Sequence, residues 1–182
     1  MNLPNRLTIL RIILVPILLI LIYNIGNSLL MSLISAIVFL LISFTDMLDG
    51  YIARSRNLVT DFGKFLDPLA DKILVISTMI AFIDMGYISS LAVIIIIIRE
   101  FLVTSLRLVA ASTSKVIAAS KLGKLKTIIQ MIVLTILFFT PQVASLPGGN
   151  IILNILIWIM VAITIISGVD YLIKNKEVIK IQ

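Results

Sequence analysis

The chain has 182 residues, 60% of them hydrophobic and 13% charged, with a mean hydropathy of +1.20. Soluble globules average roughly 45–50% apolar and about 25% charged residues, so a soluble enzyme, a disordered chain and a nucleic-acid-binding arm are excluded. With no Cys and no His there is no disulfide, no thiolate chemistry, no Cys/His zinc site and no His acid–base pair; the net charge of +6 favours an anionic partner, a membrane surface, a charged lipid or a phosphorylated substrate.

A bilayer-spanning helix takes about 20 mostly apolar residues, and backbone polar groups in lipid must be paired within the segment. Residues 12–45 carry no charge, long enough for two helices, with Tyr23-Asn24-Ile25-Gly26-Asn27-Ser28 as the turn between them. Residues 73–83 and 87–98 are apolar on either side of Asp84-Met85-Gly86. A second uncharged run, 127–169, is broken by the Pro- and Gly-bearing stretch 141–150. The pattern predicts an all-α, polytopic integral membrane protein of one domain, 1–182, with six transmembrane helices over about 6–23, 28–54, 64–84, 88–112, 121–140 and 150–173. No repeat or soluble second domain interrupts it.

The basic residues set the orientation. The loops at 24–27, 84–88 and 141–150 contain none of the 15 Lys and Arg, so the opposite side is cytoplasmic and both termini lie there, in a multi-pass cell-membrane protein. The first helix follows a basic start as a signal peptide would, but Pro16 sits within it and no small-residue cleavage site follows; it reads as a retained anchor.

Four of only nine acidic residues, Asp46, Asp49, Asp67 and Asp71, fall where helices two and three approach the cytoplasmic surface. Asp46 and Asp49 are three apart and Asp67 and Asp71 four apart, spacings that share a helix face. Four carboxylates in one place repel one another and resist desolvation, so a positive group must offset them. Hard divalent cations with oxygen ligands, Mg²⁺, Mn²⁺ or Ca²⁺, meet that need. Structural alternatives stand beside this: Asp67-Pro68 reads as a helix N-cap with Pro at the first turn, and Asp46 and Asp49 could pair with Arg54 and Arg56. Gly50 and Gly63 would let a ligand, or simply another helix, approach the backbone.

The stretch from Asp46 to Asp71 reads D-x2-D-G-x2-A-R-x8-G-x3-D-x3-D without a departure, eight fixed positions over 26 residues. It resembles the signature of the CDP-alcohol phosphatidyltransferases. The resemblance implies that Asp46, Asp49, Asp67 and Asp71 hold two divalent ions, Mg²⁺ or Mn²⁺, that bind the pyrophosphate of a CDP-linked lipid. It further implies that Gly50, Arg54 and Gly63 lie against the cytidine nucleotide and that Asp71 is the general base toward the acceptor hydroxyl, with CMP leaving. It also implies a homodimer.

The acceptor must be read elsewhere. Arg99 and Arg107 lie in the fourth apolar span, where a guanidinium is costly and marks a functional candidate. Helix five opens Lys121-Leu122-Gly123-Lys124-Leu125-Lys126-Thr127; Arg107 with Lys124 or Lys126 could form a cationic pocket for a phosphate monoester. Against this, Arg99 could pair with Glu100, and the lysines or Arg107 could snorkel to lipid phosphates. Within the family, Arg99 to Leu108, Gly123 to Thr127 and the opening Pro4-Asn5-Arg6-Leu7-Thr8…Arg11 look most like the branch that joins CDP-diacylglycerol to sn-glycerol 3-phosphate. Asn5, Thr8 and Arg11 could instead be a segment lying in the headgroups. Rival readings are a sibling transferase acting on inositol phosphate, serine or phosphatidylglycerol, and a divalent-cation transporter; the second is disfavoured because the acids cluster at one face and no repeated halves are visible.

Overall fold

The computed structural model describes the backbone of residues 3–55, 61–112 and 120–176, and side chains for 8–45, 66, 69–110 and 120–176. Every element among the described residues is helical: α1 (Leu3–Tyr23), α2 (Leu29–Ser55), α3 (Asp61–Asp84), α4 (Ser90–Ser112), α5 (Lys121–Leu137), a short α6 (Thr140–Ala144) and α7 (Gly149–Lys174). The six long helices follow the predicted ones closely. The differences are physical. α1 begins three residues before its predicted start, because Pro4 is tolerated in a first turn where its missing N–H costs nothing. The fifth helix stops at Leu137 instead of 140, and the Pro141 segment forms α6 as a separate turn of helix. α3 begins at Asp61, so Asp67-Pro68 lies well inside it, and the N-cap reading of that pair is wrong.

Serine hydroxyls start three of the helices. Ser28 Oγ accepts from the Met31 N–H, Ser89 Oγ from Ala92 and Ser120 Oγ from Gly123, each satisfying one orphan donor of a first turn. Gly26 and Gly86 turn the chain with φ of +49° and +73°, a left-handed conformation that a side chain resists.

The chain divides into two compact units, residues 1–87 with 135–145, and residues 88–134 with 146–182. In the first, α1 packs against both α2 and α3. The buried face of α1 reads Thr8, Arg11, Val15, Leu18, Ile22; that of α2 reads Ser32, Ser35, Phe39, Ile42; that of α3 reads Ala70, Leu74, Thr78, Phe82. Each is a stripe at three- and four-residue spacing. Phe138 closes this core, its ring 5.4 Å from Phe39 and 5.0 Å from Phe82. Ser32 Oγ donates to Gln142 Oε1 at 3.1 Å and ties α6 to the start of α2.

In the second unit α4 packs on α7 through Ile96 and Val103 on one side and Ile157, Met160, Val161 and Thr164 on the other. The buried face of α5 runs Lys126, Gln130, Val133 and Leu134. α7, of 26 residues, is long and apolar enough to cross a membrane. Its outer flank is apolar too, with Ile151 65% and Ile166 56% exposed, as are Ile13 and Ile20 on α1 and Ile94 and Ile98 on α4. A water-soluble protein seldom leaves apolar flanks of this extent open; hydrocarbon is the solvent they fit.

Candidate functional site: helix-borne carboxylates and a cationic cluster

The aspartates are delivered by helix register. Among the described residues of α2 the last buried one is Ile42, and positions 46 and 49 follow it along the helix at four- and three-residue steps. Among the described residues of α3 the first buried one is Ala70, and position 67 precedes it by three on the same helix. Both pairs therefore lie in continuous helix, with one face per pair. Asp71 is exposed on α3 and takes part in an interaction within the protein. The side chains of Asp46, Asp49, Gly50, Arg54, Gly63 and Asp67 lie outside the described residues. Among the described residues no three acidic side chains gather as a metal cluster.

The donor set nonetheless fits a hard divalent cation. The sequence places two aspartates on α2 and two on α3 and contains no His or Cys, and carboxylate oxygens are the ligand chemistry of Mg²⁺ and Mn²⁺. Helix α1, packed against both, brings Arg11 into the same core: this guanidinium is 1% exposed, and its Nε donates to Thr45 Oγ1 at 3.4 Å, one residue before Asp46.

The second unit holds the cations expected at the acceptor site. Arg99, near mid-helix in α4, donates from one terminal nitrogen to Glu100 Oε1 at 3.0 Å and from the other to Ser167 Oγ of α7 at 2.6 Å. Its stem lies on Gly168, where a Cβ would stand 2.9 Å from Arg99 Cγ, so only glycine leaves room. Its buried Nε has no hydrogen-bond partner among the described residues. Lys126, 4% exposed, donates from Nζ to the same Glu100 Oε1. One carboxylate oxygen thus holds two cations in a partly buried cluster of net charge +1. The pairing of Arg99 with Glu100, the structural alternative, is present.

Arg107 and Lys124 are different. Both are exposed. The Arg107 guanidinium carbon lies 5.8 Å from the ring centroid of Tyr171, within cation–π range, and the buried Tyr171 hydroxyl has no partner among the described residues. Lys124 sits at the start of α5, fixed by the Ser120 cap. The contribution of α7, through Ser167, Gly168 and Tyr171, is not anticipated by the sequence reading. The available signal was Ser167-Gly168, a small polar pair in an apolar run, with Tyr171 one helical turn beyond Ser167.

A family model described as CDP-alcohol phosphatidyltransferase matches residues 1–166. The CDP-diacylglycerol–glycerol-3-phosphate 3-phosphatidyltransferase of Bacillus subtilis is 42% identical over 98% of this chain and 97% of its own length. A relative of the same name from Rickettsia typhi is 43% identical over 93% of the chain and 94% of its own length. Another from Wigglesworthia glossinidia brevipalpis is 41% identical over 72% and 74%.

Proposed function

The chain belongs to the CDP-alcohol phosphatidyltransferase family, and from that premise we propose that it transfers the phosphatidyl group of CDP-diacylglycerol to sn-glycerol 3-phosphate, giving phosphatidylglycerophosphate and CMP. The observation that carries this reading is the unbroken eight-position signature on the end of α2 and the start of α3, with each aspartate pair at same-face spacing. The relatives' names supply the acceptor.

In this reading Asp46, Asp49, Asp67 and Asp71 hold two divalent cations, Mg²⁺ or Mn²⁺. Divalent cations held there would supply positive charge to offset the negative charge of the phosphoryl transfer. Gly50, Arg54 and Gly63 seat the cytidine nucleotide. Arg107 and Lys124 hold the phosphate of the acceptor, with Arg99 and Lys126 raising the positive potential behind them. Asp71 takes the proton of the acceptor hydroxyl. That oxygen bonds to the β-phosphorus, the bond from the β-phosphorus to the bridging oxygen breaks, and CMP departs with that oxygen.

The six long helices cross the cell membrane with both termini and the site on the cytoplasmic side, where a lipid substrate and a water-soluble one can meet. The whole chain acts as one catalytic domain. Apolar outer flanks leave a surface for a homodimer in the bilayer. Purified protein given CDP-diacylglycerol, Mg²⁺ and glycerol 3-phosphate should release CMP. No release, or equal release with serine or inositol phosphate, overturns the assignment.

A further inference from the structure

The buried stripe of α1 is apolar from Val15 to Ile22 and turns polar at Arg11 and Thr8, which are 1% and 0% exposed. Arg11 is the one charged side chain fully buried in the first unit among the described residues. Removing a guanidinium from water is costly, and a protein retains it only against groups that return comparable electrostatic energy. Its Nε donates to Thr45 Oγ1, while the Thr45 hydroxyl donates to the Ile42 carbonyl at 2.6 Å, so Thr45 is locked in the orientation that accepts from Arg11. Thr45 is the residue before Asp46, and α1 packs on both α2 and α3. Thr8 and Arg11 thus form the polar end of the buried stripe of α1, and Arg11 is joined to α2 at the residue before Asp46.

We infer that Arg11, seated by Thr45, is a built-in counter-cation of the carboxylate site. It is a positioning residue that offsets part of the repulsion among Asp46, Asp49, Asp67 and Asp71 and so lets them stand together before any metal arrives. The inference rests on the reading of these aspartates as metal ligands. A fixed charge of this kind has a thermodynamic signature. It stabilises the metal-free site more than the loaded one, and it competes with the metal for the same carboxylates. A guanidinium that merely packed the core would do neither.

The test measures Mn²⁺ binding to the detergent-purified full chain, without nucleotide, from free Mn²⁺ by electron paramagnetic resonance, alongside melting temperatures with EDTA and with saturating Mn²⁺. In Arg11→Met the Mn²⁺ Kd should fall about tenfold, as one competing unit charge is removed. The melting temperature should drop with EDTA and recover in large part with Mn²⁺. Arg11→Lys, which keeps the charge, should stay within about twofold of wild type in Kd. Thr45→Val, which removes the seat but keeps the shape, should move Kd in the same direction by about threefold; it decides the matter if Arg11→Met does not fold. An unchanged or weaker Mn²⁺ Kd with equal melting losses in both buffers overturns the inference while leaving the metal site intact. Absence of saturable Mn²⁺ binding in wild type overturns the metal reading and this inference with it.

Discussion

The two units of the chain treat charge in opposite ways. In the first, carboxylates accumulate on two helix ends and the buried charge among the described side chains is a cation, Arg11. In the second, cations accumulate and the group that collects them is an anion, Glu100, whose Oε1 accepts from both Arg99 and Lys126. By sequence the first unit balances its charges, six basic against six acidic residues, whereas the second carries nine basic against three acidic ones. The comparison teaches that the conspicuous charges of a membrane enzyme are of two kinds. Some face the ligand, and some hold the others in place. Arg99 and Lys126 are largely committed to Glu100 and Ser167, whereas Arg107 and Lys124 remain exposed.

The sharpest way to break this division is at Asp71. Asp71→Asn should lower kcat by about 10³-fold, the usual loss for a positioned general base, while nucleotide binding measured by calorimetry persists. Full activity would remove the proposed base. A change at Glu100 strikes the internal counter-ion instead. Glu100→Gln leaves Arg99 and Lys126 facing one another without their shared carboxylate, and should cost about 3 kcal/mol of stability, read as a lower melting temperature in detergent. A neutral outcome would make the cluster a surface ornament. Gly168→Ala should cost about 2 kcal/mol, because a Cβ 2.9 Å from Arg99 Cγ forces the side chain off Ser167. Arg107→Gln sharpens the other half of the division: the KM for glycerol 3-phosphate should rise about tenfold, or about 1.4 kcal/mol, with kcat and melting temperature nearly unchanged. The smallest effect is expected at Gly86→Ala, about 1 kcal/mol of stability with unaltered kinetics, since φ of +73° there is strained for any side chain but the space around it is open.

The long helices were legible because lipid-length apolar runs and their breaks are written into the order of residues. Ser28, Ser89 and Ser120 mark starts through their own hydroxyls, and Gly26 and Gly86 mark turns through their own backbone freedom. The aspartate spacing is legible for the same reason: it is local to two helices, both of which the fold contains. Asp67-Pro68 was ambiguous because a capping pair and a helix-interior pair look alike in sequence; only the start of α3 at Asp61 separates them. The fate of Arg99 was harder. A short-range partner, Glu100, and a long-range one, Ser167, compete on paper, and in the fold the guanidinium engages both.

What the order of residues determined by itself is the set of helices, their turns and the chemistry of the signature, because each depends on neighbours within about one helical turn. What the tertiary structure alone decided is which charges are spent inward. Arg11 and Lys126 are buried and Arg107 and Lys124 are not, although all four are basic residues on apolar helices. The reason is that burial depends on which face another helix covers, and that is fixed by packing over tens of residues in sequence, as Arg99 on Gly168 and Arg11 on Thr45 show.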